Sequence, residues 1–514
     1  MRPVLNPAAP ATPFLSAVGT LPAILIALLL PSGALIAAPK QDPAAMAQAL
    51  FPVPQVALVT PGFAKLRFST YDETTDFIAP IGQRSGARLY SLLKTGQGRE
   101  VWAVKLVNSK AKVRVMIISR VHGDEPGATE GALQLLASLT GGELKGQYDA
   151  VELVIVPMAN PDGSGANDRR TAAGGDINRD FIKGEFAETR ALQAEIRQFD
   201  PHVVVDAHEF TVWGRLGETT IASDLMSTGP NEPNLPAVLL DVNDRLFRGA
   251  IDAVLTQAGV RHQRYELLNM DRKTGGLEVQ ESATTFVSAK NFHAMSGRVS
   301  LLFEGRGIGL GDQHMARRSQ TLYLAMKAVV QTAQGQPDAI VAALEASRAQ
   351  IRDLKTWELD RLPVRQQRDF HLADSVTNAI VKVPAMFTNR TDGKKGPTIE
   401  VPRHYIVPQS QKAIFEMLDR FGVTIKTLDR PLTATVGVQT ANFKGNGDDL
   451  TVESKTAEAT RSFAAGDYVI DTSQRGALYL QVLEAASPNS LARLGVFGRA
   501  NGTELPVYRF NGTL

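Results

Sequence analysis

The stretch VRVMIISRVHGDEPG, residues 113–127, decides the fold of this chain. Its first seven residues, Val113 to Ser119, are mostly apolar, which is typical of a strand buried on both faces of a sheet. The chain then turns through polar residues and places Pro126 where a helix can begin, because proline suits the first helical turn. A strand, a polar turn and a helix in this order predict one unit of an α/β sheet.

The same alternation continues along the chain. We expect further strands at Val101 to Val107, Val151 to Pro157, the segment leading to His208, and Val299 to Phe303. We expect helices at Thr70 to Ala79, Gly127 to Leu139, Glu185 to Phe199, and Pro236 to Ala258. The predicted fold class is therefore α/β, with a mixed, mainly parallel central sheet flanked by helices and a smaller α+β domain at the C-terminal end.

Four polar side chains follow apolar runs of this kind. His122 and Glu125 lie in VHGDEPG, and His208 lies in VDAHEF. Two imidazoles and one carboxylate with an open fourth position are typical of a catalytic zinc site, so we expect one zinc ion per chain at these three residues. Glu304, in SLLFEGRG, is the candidate general base. Ligands at the carboxyl ends of strands fit the place where such sheets bind.

Two further motifs lie between these segments. NPDG occupies Asn160 to Gly163, and GGDINRDF occupies Gly174 to Phe181. Taken alone, both predict turns. Together with HGDE, VDAH and Glu304, their order resembles the zinc carboxypeptidase (carboxypeptidase A-like) family over roughly residues 66–309.

The resemblance implies a role for each remaining polar residue. In that family the HxxE pair and the later histidine bind zinc, and the Asn-Arg pair, here Asn178 and Arg179, binds the terminal carboxylate of the substrate. An upstream arginine polarises the scissile carbonyl, which points to Arg169, with Arg170 as the fallback. The family's late glutamate, base and proton shuttle, corresponds to Glu304.

The sequence allows two interpretations for each of two acidic residues. Asp176 is placed to accept the second N–H of a zinc-bound imidazole, as the family's aspartate does, or else it is a solvated turn residue. Glu209, beside a zinc ligand, either contacts the site or faces away from it.

The sequence departs from the family at a tyrosine. The classical digestive members carry one some twenty residues before the catalytic glutamate, whereas residues 281–302 contain none. Phe286, Phe292 and His293 occupy that region, and Tyr265 lies too far upstream to align with it. In those members the tyrosine caps the bound substrate, and this stretch of the sequence offers no tyrosine for that role.

The predicted function is a zinc-dependent exopeptidase that hydrolyses the C-terminal amino acid of peptides, with water activated by zinc and Glu304. The expected partner is a peptide with a free C-terminal carboxylate. One alternative is a zinc amide hydrolase of N-acyl amino acids, since the aspartoacylase-like branch shares these elements. Another is a zinc-retaining binding protein without catalysis, which the presence of a base argues against.

Composition limits the remaining classes of function. A formal net charge of +2 gives no global field that would attract nucleic acid. The chain has no cysteine, which excludes cysteine nucleophiles, cysteine-based zinc fingers and disulfides. The run LPAILIALLL, Leu21 to Leu30, predicts a signal peptide cleaved after Ala34 or Ala38 and a periplasmic or secreted protein. A membrane is expected as a partner only if this leader stays uncleaved as an anchor.

Changes in sequence character predict four parts of the chain. They are a signal peptide at 1–38, a zinc carboxypeptidase-like catalytic domain at 49–335, a helix and connector at 336–375, and a C-terminal accessory domain at 376–514.

Overall fold

The computed structural model describes residues 41–213, 216–271, 274–445 and 450–514. Within these ranges the strands are β1 (Ala87–Lys94), β2 (Glu100–Leu106), β3 (Val113–Ser119), β4 (Val151–Val156), β5 (Val203–Thr211), β6 (Thr219–Ile221), β7 (Leu225–Thr228), β8 (His262–Arg264), β9 (Leu267–Met270), β10 (Leu277–Gln280), β11 (Val299–Ile308), β12 (Thr356–Glu358), β13 (Arg361–Asp374), β14 (Ala379–Lys395), β15 (Thr398–Glu400), β16 (His404–Val407), β17 (Lys426–Thr427), β18 (Leu432–Lys444), β19 (Thr451–Phe463), β20 (Tyr468–Asp471) and β21 (Thr503–Phe510).

The α-helices in the same ranges are α1 (Ala44–Leu50), α2 (Pro61–Ala64), α3 (Tyr71–Gly82), α4 (Gly127–Gly141), α5 (Pro161–Ala166), α6 (Ala187–Phe199), α7 (Ala237–Asp241), α8 (Gly249–Gln257), α9 (Ala289–Ala294), α10 (Met315–Gly335), α11 (Pro337–Arg352) and α12 (Lys412–Arg420). A π-helical segment, Val242–Arg248, joins α7 to α8, and short 3-10 helices lie at Ile177–Arg179 and Ala477–Leu483.

An eight-stranded sheet with the order β1-β2-β4-β3-β5-β11-β7-β8 forms the centre of the fold. The four middle strands, β4, β3, β5 and β11, are parallel, whereas β1, β2 and β7 run antiparallel to their inner neighbours. Strands β3 and β5 are almost completely buried, as their continuous apolar runs predict. The parallel centre brings the carboxyl ends of β3, β5 and β11 to one edge.

Helix α4 follows the decisive polar turn and packs against α10. Almost all of its residues are buried, Leu133 and Leu136 completely. Burying a leucine side chain contributes about 1.5–3 kcal/mol, so this helix anchors the turn before it. Thr70 is the N-cap of helix α3, and its side chain and that of Glu73 cap the helix start reciprocally.

Two other sheets extend the fold. Strands β6, β13, β14, β10 and β9 form a five-stranded sheet, in which the long hairpin of β13 and β14 joins segments from within residues 219–280. Near the C-terminal end, β17-β20-β16-β21-β18-β19 form an antiparallel sheet with α12. The mixed α/β class, the mainly parallel central sheet and the additional C-terminal sheet domain are as the sequence predicts.

Individual elements match the sequence expectations to different degrees. The strand at Val113 to Ser119 is confirmed to the residue, and the helices expected near Thr70, Gly127 and Glu185 are present with shifted ends. Strands β12 and β13 lie in the stretch 336–375 that was expected to be a helix and connector. The division of the chain into domains stays a prediction.

The apolar leader expected at residues 1–38 lies outside the described residues. Residues 40–514 form one compact unit. None of the helices in the described ranges combines the length and the apolarity needed to cross a bilayer.

Candidate metal centre and active-site cavity

Three neighbouring parallel strands position the candidate site. His122 lies three residues beyond the end of β3, His208 lies within β5, and Glu304 lies within β11. In the β5–β11 ladder, Glu304 is the register partner of His208. The three strands bring these residues close together, but β5 and β11 continue past His208 and Glu304, so only His122 follows the end of its strand as the sequence predicts.

The donor atoms of His122, Glu125 and His208 converge on one point. The Nδ1 of His122 lies 2.7 Å from Glu125 Oε1, and the Nδ1 of His208 lies 2.8 Å from Glu125 Oε2. The two Nδ1 atoms are 3.1 Å apart. All three residues are at most 2% exposed, and they form a group that could hold a metal ion.

The outer nitrogens of both rings lie against carboxylates. The Nε2 of His122 lies 3.1 Å from Asp176 Oδ1, and the Nε2 of His208 lies 2.9 Å from Asp206 Oδ2. Carboxylates at these positions favour the N–H on Nε2, which leaves the Nδ1 lone pair of each ring facing the other ring. Ligand nitrogens around a tetrahedral zinc ion are about 3.3 Å apart, which is close to the observed separation. The donor set therefore fits a cation.

The electrostatics of the three residues follow from this crowding. Burial alone would raise the pKa of Glu125, but the His208 and His122 rings hold it at about 2. Burial works against charge on both histidines, yet the neighbouring carboxylates raise the pKa of His122 and of His208 above the usual range. Glu125 is thus an ionised carboxylate, as a metal ligand must be.

The NPDG motif supports the loop that carries His122. Asn160 caps α5 by accepting from the Gly163 N–H at 3.0 Å, and its amide donates to the Val121 carbonyl at 3.3 Å. A Cβ on Gly123 would lie 2.0 Å from the Gly163 carbonyl carbon, so the two backbones meet where no side chain fits. NPDG therefore forms the N-cap and first turn of α5, and it packs against the backbone of the loop that carries His122.

Asp176 links the candidate ligands to Arg169. One carboxylate oxygen accepts from Arg169 Nε at 2.9 Å, and the other accepts from the Asn178 N–H at 2.9 Å and contacts His122. Arg169 Nη1 lies 3.1 Å from His122 Nδ1 and 3.7 Å from Glu125 Oε1. Of the two sequence readings of Asp176, the contact with the imidazole is the one observed.

The Asn178 and Arg179 pair lies in a 3-10 turn beside the same ligands. The Asn178 Oδ1 accepts from the Ala289 N–H at 2.8 Å, and its Nδ2 lies 3.2 Å from His208 Nε2. The Arg179 side chain is exposed, and its Nη1 donates to the Asn178 carbonyl at 2.8 Å. Both residues line a cavity that His122 and Glu125 also line.

Glu304 faces the same cavity, which has a volume of about 580 Å³. Burial raises its pKa to about 7, with Glu125 adding to the rise and the His208 and His122 rings opposing it. A carboxyl group with a pKa near neutrality can both accept and donate a proton, so its chemistry suits a general base that later acts as an acid.

The cavity also contains residues that sequence reasoning missed. Tyr265, which could not be aligned, lines it together with Glu304 and Arg179, and burial raises the pKa of its hydroxyl. No local signal marks Tyr265, because it reaches the cavity through tertiary packing. Asp206 had a signal, since an acid inside the apolar run VVVDAH needs a buried partner.

Glu209 is part of the supporting structure. Its carboxylate pairs with Arg318 at 2.7 Å and accepts from the Gly127 N–H at 2.9 Å, which fixes the start of α4. A Cβ on Gly307 would lie 2.0 Å from its Oε1, which explains a glycine in the sequence after Glu304. Arg170, the fallback for Arg169, is exposed, and its backbone N–H bonds to Asp168.

Comparisons with known proteins bear on this site. The family model described as zinc carboxypeptidase matches residues 82–212. This range includes the candidate ligands, Arg169, Asn178 and Arg179, and ends before Glu304.

Individual relatives are similar over most of the chain. Carboxypeptidase 2 of Trichophyton tonsurans is 27% identical over 485 residues, which cover 88% of this chain and 90% of the relative. Carboxypeptidase 2 of Trichophyton equinum is 27% identical over 487 residues, with the same coverage. A solved metallo-carboxypeptidase from Pseudomonas aeruginosa, in complex with (2-guanidinoethylmercapto)succinic acid, is 17% identical, with a TM-score of 0.40 over 52% of this chain and 69% of that chain.

Proposed function

We propose that this chain, a metallocarboxypeptidase whose residues 82–212 match the zinc carboxypeptidase family, hydrolyses the C-terminal amino acid of peptides at one zinc ion. One observation carries the proposal. The Nδ1 atoms of two histidines and a buried carboxylate converge within about 3 Å of one another, in a cavity that also contains Glu304 and Arg179.

The ligands in this proposal are His122, Glu125 and His208. A zinc ion bound there polarises a carbonyl group and lowers the pKa of water towards about 7. Glu304 accepts the proton of the attacking water and passes it to the leaving amine, for which its raised pKa is suited. Asp176 and Asp206 hold the two imidazoles with their Nδ1 atoms close to each other, where they would bind the ion.

Arginine side chains complete the proposed chemistry. Arg169, held by Asp176 beside the ligand atoms, stabilises the negative charge that develops on the carbonyl oxygen. Asn178 and Arg179 bind the free carboxylate at the end of the peptide, because a guanidinium group donates two parallel hydrogen bonds to a carboxylate. The enzyme thereby recognises the free C-terminal end of its peptide substrate.

The carboxylate clamp gives the test of this function. We expect wild-type protein to hydrolyse peptides with a free C-terminal acid and to be poor on the matching C-terminal amides. Arg179→Ala should lose roughly 100-fold or more in kcat/KM on free acids and change little on amides, since charged hydrogen bonds contribute about 1.5–3 kcal/mol each. Product masses and rates for each acid and amide pair provide the measurement.

The surface substitution Arg88→Ala is the matched control, because Arg88 is an exposed arginine of β1 that does not line the cavity. It should leave both rates unchanged. Equal hydrolysis of acids and amides by wild type and Arg179→Ala would contradict the exopeptidase function. Turnover of N-acyl amino acids in place of peptides would instead identify an amide hydrolase.

The location belongs to the proposal as well. We expect a periplasmic or secreted protein, on the basis of the apolar run Leu21 to Leu30. Cell fractionation and N-terminal sequencing of the exported protein test it. Recovery of the full-length chain with Met1 in the cytoplasm would contradict this location.

A further inference from the structure

A buried lysine lines the same cavity at some remove from the candidate ligands. Lys290 is the second residue of α9 and is 3% exposed. Its Nζ donates to Asn231 Oδ1 at 2.5 Å, and that oxygen also accepts from the Asn291 amide at 3.1 Å. The ammonium group is therefore held in position by a neutral amide.

Nearby acids are already paired with other groups. Glu281 accepts from the Arg390 and Thr391 N–H groups at 2.8 and 2.7 Å, and Asp244 contacts Arg248. Among the residues that the structure describes, no carboxylate oxygen forms an ion pair within 4.0 Å of Lys290. A buried cation without a counter-ion is costly, so its retention here needs a reason.

Two of the acids that line the cavity, Glu266 and Asp206, also have partners other than Lys290. Glu266 pairs with Arg368 at 2.6 Å, and Asp206 lies against His208. Arg179 also forms no ion pair within 4.0 Å among the described residues. Away from the ligands, the cavity thus presents two cations, Arg179 and Lys290, where one terminal carboxylate needs only one.

The backbone connects these two cations. The N–H of Ala289, the residue before Lys290, donates to the Asn178 side chain, and Asn178 in turn precedes Arg179. Lys290 therefore lies one residue from a direct contact with the proposed carboxylate clamp. A peptide held at the clamp places its terminal side chain within the same cavity.

We propose that Lys290 is a specificity residue that selects peptides whose C-terminal residue has an acidic side chain, glutamate or aspartate. The inference rests on the proposed exopeptidase function. The substrate's side-chain carboxylate supplies the counter-ion that the protein does not provide, and the hydroxyl groups of Ser282, Thr285 and Ser288 line the same cavity.

The charge of the lysine responds to such a ligand. Burial lowers the pKa of Lys290 to about 7, with Arg264 adding to the decrease and Glu281 and Asp244 opposing it. A carboxylate within hydrogen-bond distance favours the ammonium form again. An isosteric amide cannot do so, which makes glutamate and glutamine the discriminating pair.

The experiment compares peptides that end in glutamate, glutamine or leucine. Wild type should show a kcat/KM roughly tenfold or more higher for glutamate than for glutamine, in line with a charged hydrogen bond. Lys290→Met should bring that ratio to about one, and Lys290→Gln provides a second variant that keeps a hydrogen bond to Asn231. Lys110→Met, at an exposed lysine, is the control and should keep the wild-type ratio.

Binding measurements separate this inference from the proposed function. In calorimetry on zinc-loaded Glu304→Gln protein, the peptide ending in glutamate should bind more tightly than the one ending in glutamine, and Lys290→Met in that background should remove the difference. Wild-type hydrolysis with an unchanged glutamate to glutamine ratio in Lys290→Met and Lys290→Gln would overturn the lysine assignment alone. Absence of any exopeptidase turnover would overturn the proposed function, and equal binding of the two peptides would still refute the lysine assignment.

Discussion

The two ends of the cavity differ in how their charged groups are paired. At the ligand end, formed by His122, Glu125 and His208, the rings and carboxylates lie within about 3 Å of one another, and Asp176 holds the first ring from outside. At the lysine end, the Lys290 ammonium group donates to the neutral amide oxygen of Asn231 and forms no ion pair among the described residues. The ligand end is thus rich in electron-pair donors, which suit a bound cation, whereas the lysine end presents a cation, which suits a bound anion.

This difference shows how one cavity can combine affinity and selectivity. Polar groups that hydrogen-bond to one another stabilise the fold, and a ligand binds to them only by replacing one of these bonds or by adding to them. A buried charge without a counter-ion lowers the stability of the free protein, and a ligand that supplies the counter-ion removes this cost when it binds. The comparison predicts that substitutions at the ligand end lower the rate of hydrolysis. Substitutions at the lysine end should instead alter the stability of the protein and its preference among substrates.

The largest expected effect comes from Glu304→Gln at the ligand end. The amide keeps the shape of the side chain and cannot accept the proton of water, so kcat should fall by roughly two to four orders of magnitude. Bound metal, measured by atomic emission, should stay near the wild-type level. Near-normal turnover would show that another group is the base.

An intermediate effect is expected from Asp206→Asn. The charge beside His208 Nε2 is lost while the volume is kept, so metal affinity should decrease by about 10- to 100-fold. Competition with a chelator of known affinity measures the change. His208→Ala, which removes a ligand atom, sets the lower limit, and full retention of metal by His208→Ala would refute the ligand assignment.

The smallest effect, and the one with the opposite sign, is expected from Lys290→Met. Below pH 7 both the folded and the unfolded wild type carry the lysine proton, and the folded state bears the whole cost of burying the charge. Between pH 7 and the ordinary pKa of 10.5, the unfolded state binds more protons, so wild-type stability increases with pH.

Lys290→Met should therefore have a Tm a few degrees above wild type at pH 7, and this advantage should shrink towards pH 10. Differential scanning calorimetry across this range measures it, with Lys110→Met as the surface control. A lower Tm for Lys290→Met at every pH would indicate that the lysine stabilises the fold, which would remove the contrast between the two ends.

Much of the ligand end could be predicted from the sequence, because its residues follow buried strands of clear apolar character. The strand at Val113 to Ser119 is found as predicted. The donor atoms of His122, Glu125 and His208 lie together, and Glu304 lines the same cavity as His122 and Glu125. Neighbouring parallel strands hold the residues that they carry side by side whatever the loops between them do, so the order of the motifs was enough to bring these residues together.

The residues at the lysine end could not be predicted from the sequence, because only tertiary packing brings them together. Tyr265 and Asn231 lie in connecting segments without periodic pattern, and Lys290 occupies a short helix. Strand β13 was missed for a related reason. Most of its residues are partly or fully exposed, and its charged, poorly alternating sequence has the composition of a connector.

The register that pairs Glu304 with His208 has a consequence for how this protein can change over generations. Side chains along a strand alternate between faces, so inserting or deleting one residue in β11 before Glu304 would turn the carboxylate to the opposite face. The stretch from Ser282 to Lys290 carries no such constraint from the central sheet, since it precedes β11 and lies outside the ladder. Divergence can therefore exchange the preferred terminal side chain while the reaction itself is inherited unchanged.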